Sequence, residues 1–194
     1  MSYADPDYFE ALYRHDPDPW NFATSDYERE KYAATLAALP DRRFHRGFEI
    51  GCSIGVLTRQ LAARCDTLLA IDIADTALTQ ARQRCTGLDT LTLERRSAPG
   101  EWPTGSFDLI VFSEVLYYLG IDGIREAARQ SLACLASGGA VLLVNWHGDT
   151  GGACSGDAAV THFIDAIAGR LPIVHQARTD LYRLDLLGGP PSSA

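Results

Sequence analysis

Apolar positions along this chain alternate between two rhythms, and together they predict an α/β fold. Short apolar runs bounded by turn residues read as buried parallel strands: Phe48-Glu49-Ile50, Leu68 to Ile71, Leu91 to Leu93, Leu109 to Phe112, and Ala140 to Val144. Between them lie helical spacings. Thr58 to Arg64 reads as one helix, with Leu57 and Leu61 on its buried stripe, and Gly123 to Leu135 as another, ended by Ser137-Gly138-Gly139 as a glycine cap. Residues 171–178 and 180–187 read as two last strands. Strands alternating with helices imply a doubly wound sheet.

The first 40 residues carry a different pattern. Ser25-Asp26-Tyr27-Glu28 fits a capping box, and the helix it opens puts Tyr32, Leu36 and Leu39 on one face and Tyr27 and Lys31 on the other. Tyr8, Phe9, Leu12 and Tyr13 read as packing residues of an earlier helix. The expected organisation is a helical lid over 1–40, a core over 41–188 and a flexible tail over 189–194, with no internal repeat.

Composition narrows the function. With 194 residues, 46% of them hydrophobic, the chain can bury one substantial core. Its net charge of -8 disfavours wrapping a phosphate backbone, and Arg42-Arg43 with His45 and Arg46, or Arg95-Arg96, form only short patches. A nucleic acid partner is therefore not expected and a small molecule is. No apolar run approaches membrane-spanning length and no signal sequence opens the chain, so a cytoplasmic location without membrane contact is expected. The five cysteines are scattered without zinc spacing and read as reduced thiols, with no metal site.

The chemistry concentrates at Phe48 to Leu57, where an apolar strand end enters a turn hinged on Gly51 and Gly55. Such glycines let backbone N–H groups approach a ligand where a Cβ would collide, or serve packing alone. Asp72 follows roughly 20 residues on, at the tip of the next strand, the spacing of a nucleotide-binding βαβ unit. A carboxylate there can accept both hydroxyl hydrogens of a ribose. A third landmark is Phe107-Asp108-Leu109-Ile110-Val111-Phe112-Ser113-Glu114. Together these point to a nucleoside cofactor.

These residues resemble motif I of the class I S-adenosylmethionine-dependent methyltransferases, acid-x-Gly-x-Gly-x-Gly: Glu49, Gly51 and Gly55 match, and Ser53 stands where the middle glycine usually falls. The resemblance covers Glu28 to Leu187. It implies a Rossmann-like fold of seven mostly parallel strands with an antiparallel last strand, and S-adenosyl-L-methionine as cofactor. A closer similarity is to the nodulation protein S group, methyltransferases of deacetylated chitooligosaccharides. It is carried by Asp18-Pro19-Trp20, Tyr27-Glu28-Arg29-Glu30-Lys31, Phe107 to Val111, and Ser113-Glu114-Val115-Leu116-Tyr117-Tyr118-Leu119.

By that resemblance Asp72 binds the ribose, Ile73 lies against the adenine, and Ser97 and Ala98 stand where an Asp often receives the adenine amino group. Glu49, Gly51, Cys52, Ser53, Gly55 and Ser113 complete the expected cofactor set. Lys31 either meets the methionine carboxylate or is a solvated cation, and Trp20 either closes the pocket or anchors packing. The sulfonium is already an activated electrophile, so the protein chiefly aligns nucleophile and methyl, with one general base to deprotonate an amine or hydroxyl. Glu114, His147 and Tyr117 are the candidates, a helix N-terminal charge being the other reading of Glu114 and an ordinary surface residue that of His147. The expected acceptor is a small molecule, among them amino sugars and oligosaccharides, and the protein a monomer or homodimer.

Other readings compete. Gly51-Cys52-Ser53-Ile54-Gly55 also spells the nucleophile elbow of α/β-hydrolases, with Ser53, Asp108 and His147 in the required chain order. Only a helical lid precedes Ser53, though, and Asp72 would go unexplained. A nicotinamide-dependent oxidoreductase is disfavoured because the glycine spacing stops at Gly55 and no room remains for a substrate domain. A cofactor-binding module without catalysis stays open on residues alone.

Overall fold

A computed structural model describes residues 5–189, and the tail expected over 189–194 lies outside the described residues apart from Gly189. Two helices, α1 (Pro6–His15) and α2 (Asp26–Ala37), precede the sheet. Then follow β1 (Phe44–Ile50), α3 (Val56–Ala62), β2 (Cys65–Asp72), α4 (Asp75–Arg84), β3 (Leu91–Arg95) and β4 (Phe107–Ser113). A short 3-10 turn (Leu116–Tyr118) leads into α5 (Gly120–Cys134), β5 (Leu135–Trp146), α6 (Gly156–Ile167), β6 (Ile173–Arg178) and β7 (Tyr182–Gly188). The 7-stranded sheet has the order β3-β2-β1-β4-β5-β7-β6, and β7 runs antiparallel to both its neighbours. This is the predicted α/β architecture. Because β1 is flanked by its parallel neighbours β2 and β4, the order of strands across the sheet reverses there, and the carboxyl ends of β1 and β4 frame a crevice.

Both faces of the sheet are covered, as near-continuous apolar strands require. Phe48, Phe112, Val141, Leu143 and Phe163 form one core layer, on the side of α5 and α6. Leu57, Leu61, Val111, Leu142 and Tyr32 form the other. A third cluster packs Phe9 and Tyr13 of α1 on Ile54, Ala74 and Ala77. Among the described residues no helix is long and apolar enough to cross a membrane, and no His, Cys, Asp and Glu group could hold a metal ion.

Several boundaries differ from the sequence reading. The helix expected at Thr58 starts at Val56, because Gly55 in the left-handed region (φ +81°) is its N-cap. The glycine cap expected at Ser137-Gly138-Gly139 does not form. Backbone at Leu135 is already extended, so α5 passes straight into β5. Gly138 (φ +70°) instead lies inside that strand, where the β4–β5 pairing shifts register between Phe107 and Leu109. The capping box is half formed: Ser25 Oγ accepts the Glu28 N–H at 3.4 Å, but the Glu28 side chain turns to Lys31.

One cap comes from far away in the chain. Ala74, at the N-cap of α4, has no side-chain acceptor to offer. Glu10 of α1 supplies it, accepting the Thr76 N–H at 3.1 Å and the Thr76 hydroxyl at 2.6 Å, and these bonds hold its carboxyl below the usual range.

Candidate functional site

The turn after β1 is held from below by the next strand. Gly51 and Cys52 N–H groups both donate to the Ile71 carbonyl at 2.9 Å, and the Ser53 N–H donates to Asp72 Oδ2 at 2.8 Å. Asp72 Oδ1 accepts the Ala74 N–H at 3.0 Å. The carboxylate thus fixes both the turn and the start of α4. Burial raises the Asp72 carboxyl, and the backbone donors oppose that rise. Glu49, near the end of β1, is fully enclosed, with Oε2 lacking a partner; burial pushes its carboxyl up to about 7.

The two hinge glycines serve different purposes. Both have positive φ, but a Cβ on Gly51 (φ +78°) would meet Val115 at 3.1 Å across the crevice, while one on Gly55 would meet Ala81 of α4 at 3.0 Å. Gly55 is therefore a helix-packing glycine and does not line the cavity, which corrects the expectation of a second ligand-facing glycine. Ser53 holds φ +49°, a conformation glycine would adopt freely. Cys52 lines the cavity but belongs to a buried cluster with Ala70 and Leu78.

Above this floor lies a cavity of about 460 Å³, within the range of small-molecule sites. Aromatic rings of the segment before β1 line one side of it. Trp20 stacks on Phe22 (centroids 5.4 Å apart) and meets Tyr13 edge-on at 5.7 Å. The Tyr13 hydroxyl is hydrogen-bonded to Ser53 Oγ, and burial raises its pKa well above the ordinary value. Sequence reasoning treated Tyr13 as packing only; its bond to a residue 40 positions away leaves no local signal.

The opposite end is acidic. Glu28, Glu114 and Asp149 line it, beside Tyr27 and Tyr117. Glu114 follows β4 with φ +57°, and its Oε2 lies 2.6 Å from Lys31 Nζ. Glu28 Oε1 lies 2.8 Å from the same nitrogen. Glu28 Oε2 and Glu114 Oε1 are buried without partners. Burial raises the Glu114 carboxyl, and Lys31 counters it. For Tyr117, burial first and the charge of Glu114 second push the phenol well above its ordinary value.

The structure brings Trp20, Glu49, Gly51, Cys52, Ser53, Asp72, Ile73, Ala98, Ser113, Glu114 and Tyr117 to one cavity. Besides Gly55, three expected residues do not line it. Lys31 sits behind the wall with 1% exposure, its ammonium engaged by two carboxylates, so it is neither a solvated cation nor open to a ligand carboxylate. Ser97 gives its N–H to Glu101 at 2.7 Å, leaving Arg96 and Ala98 on the cavity side. His147 pairs through Nδ1 with Asp157 at 3.3 Å, because strand alternation gives Trp146 the cavity side. The hydrolase triad fails on the same geometry. Asp108, at the start of β4, accepts the His45 and Arg46 N–H groups at 2.9 and 2.8 Å, far from the carboxyl ends where Ser53 lies.

The family model for Nodulation protein S (NodS) matches residues 9–176. Nodulation protein S of Rhizobium tropici is 34% identical over 124 residues, 63% of this chain and 52% of that protein. Nodulation protein S of Sinorhizobium fredii is 32% identical over 133 residues, 63% of this chain and 57% of that protein. The chain thus spans a little over half the length of the curated relatives it matches. Among solved structures, the N-methyltransferase NodS from Bradyrhizobium japonicum WM9 in complex with S-adenosyl-L-homocysteine superposes with a TM-score of 0.82 at 26% identity, covering 98% of this chain and 100% of that one. The fold is thus the Rossmann-like fold of the class I methyltransferases, and this chain belongs to the nodulation protein S family.

Proposed function

We propose that this chain is an S-adenosylmethionine-dependent methyltransferase acting on the amino group of a small molecule, an amino sugar or oligosaccharide being the class its family suggests. The observation that carries this reading is one cavity with two unlike ends: a backbone-and-carboxylate floor at Gly51 to Ser53 and Asp72, and an acidic far wall with carboxylate oxygens lacking partners.

The residues fit the cofactor. Asp72 spends one lone pair of each oxygen on backbone N–H groups and keeps the others for a ribose diol. Ile73, Ala98 and Trp20 offer apolar and aromatic surface to a purine, and the exposed backbone of the Gly51 turn suits the amino acid moiety. Bound there, S-adenosylmethionine supplies an already activated methyl group.

The chain's own contribution is placement and proton handling. Glu28 and Glu114 against the single ammonium of Lys31 leave net negative charge where the acceptor enters, which favours an ammonium over a phenol. Glu114 Oε1 is the proton acceptor, Tyr117 a donor that orients the substrate, and the aromatic lid excludes water.

Isothermal titration with S-adenosylhomocysteine followed by a methyl-transfer screen over glucosamine, deacetylated chitooligosaccharides and small phenols tests the reading. Stoichiometric binding and methylation of a free amine, lost on N-acetylation, is the expected result. Absence of binding, or methylation of phenols alone, would overturn it.

A further inference from the structure

We propose that Lys31 is a positioning residue: reaching from α2, its ammonium pins one oxygen of Glu114 and leaves the other turned toward the methyl acceptor, and it takes no part in holding the cofactor. This role rests on the methyl-transfer reading above.

Lysine is almost never buried to 1% exposure unless its charge is met. Here the ammonium is met on three sides: by Glu28 at 2.8 Å, Glu114 at 2.6 Å and the Tyr27 ring at 4.9 Å. Those partners surround the ammonium, and the side chain does not line the cavity.

Glu114 is oriented from both ends. Its left-handed backbone (φ +57°) is a sparsely populated conformation for a residue with a side chain, and its N–H is tied to the Val144 carbonyl at 2.7 Å. Lys31 then fixes the carboxylate, and Oε1 is left buried without a protein partner. A buried carboxylate oxygen without a hydrogen bond is costly, so the geometry suits a proton delivered by the acceptor.

The groups facing Glu114 are few. Lys31, Glu28, Tyr27 and Tyr32 come from α2, and Tyr117 and Tyr118 from the 3-10 turn and its end. Lys31 is the one cation among them, and it favours the ionised carboxylate while burial and Glu28 oppose it. Removing Lys31 and removing the Glu28 charge must therefore move Glu114 in opposite directions.

Carbon-13 carboxyl NMR on glutamate-labelled protein reads this directly, with the Glu114 resonance assigned by its loss in Glu114→Gln. Lys31→Met should raise the Glu114 midpoint by about one pH unit or more, a tenfold change in proton affinity. Glu28→Gln should lower it, and Lys31→Arg should leave it near the wild-type position. S-adenosylhomocysteine affinity by calorimetry should stay within about twofold in Lys31→Arg and Glu28→Gln. Should Lys31→Met fail to fold, the other two variants still decide. An unmoved Glu114 midpoint in Glu28→Gln, or a midpoint in Lys31→Arg displaced as far as loss of the charge would displace it, would overturn the role. So would a tenfold loss of S-adenosylhomocysteine affinity with the Glu114 titration unchanged. Wild-type protein that binds no S-adenosylhomocysteine would sink the methyltransferase reading instead, and the Glu114 titration would still report whether Lys31 controls it.

Discussion

The hydroxyl of Tyr13, on the first helix, is hydrogen-bonded to the hydroxyl of Ser53, on the turn after the first strand. The first helix is thereby fastened to the Gly51–Gly55 turn, which the proposed function makes the floor of the cofactor site.

Breaking that fastening should loosen the site without disturbing the core. A double-mutant cycle of Tyr13→Phe and Ser53→Ala, read as S-adenosylhomocysteine affinity, should show a coupling of about 0.5–1.5 kcal/mol, a factor of roughly 2 to 13. Strictly additive effects would mean that the two hydroxyls do not cooperate in holding the ligand.

Asp72 braces the Ser53 turn and the start of α4 and, on the proposed function, also holds the ribose, so its removal should show both. Asp72→Ala frees the Ser53 and Ala74 N–H groups, each costing about 1–3 kcal/mol if left unmet, so the melting temperature should fall along with at least tenfold of S-adenosylhomocysteine affinity. Asp72→Asn keeps one acceptor and should fall between. Unchanged melting and affinity in the alanine variant would remove Asp72 from both roles.

The glycines should separate cleanly. Gly55→Ala forces a Cβ to within 3.0 Å of Ala81 at φ +81°, and should destabilise by about 1 kcal/mol or more while the folded fraction keeps its ligand affinity. Gly51→Ala, strained against Val115 at the floor, should lose affinity as well. Equal loss of binding in the two would contradict the division between packing and ligand approach.

Glu49 should give the protein an acidic side to its stability. Its folded value, about 7, lies above the ordinary 4.5, so between those values the folded protein binds more protons than the unfolded chain, and stability falls as pH rises through that window. Glu49→Gln should flatten this slope and be more stable than wild type at pH 8. Thermal melts from pH 5 to 8 that show the same slope in both proteins would refute it.

The sheet was legible because its signals are local. Apolar runs, the Gly51 turn and Asp72 all announce themselves within a few residues of their partners. Helix ends were harder where a glycine has two possible uses: Gly138 looks like a helix cap in sequence and proves to sit in an irregular strand pairing. The lid was legible as helices but not in its contacts. Glu10 reaches Thr76 across 66 residues and Tyr13 reaches Ser53 across 40, and no periodicity encodes such pairs. Lys31 shows the limit most plainly, since its three-residue spacing from Glu28 was visible but its burial against Glu114 needed the fold.

The borrowed cap on α4 makes the leading segment more than a cover. Because Glu10 satisfies donors that Ala74 cannot, clipping the chain before residue 16 would bare the N–H groups at the helix start, three residues beyond the Asp72 carboxylate. On the proposed reading, a trimmed protein that bound S-adenosylhomocysteine poorly would have lost the footing of Asp72 as well as its aromatic cover.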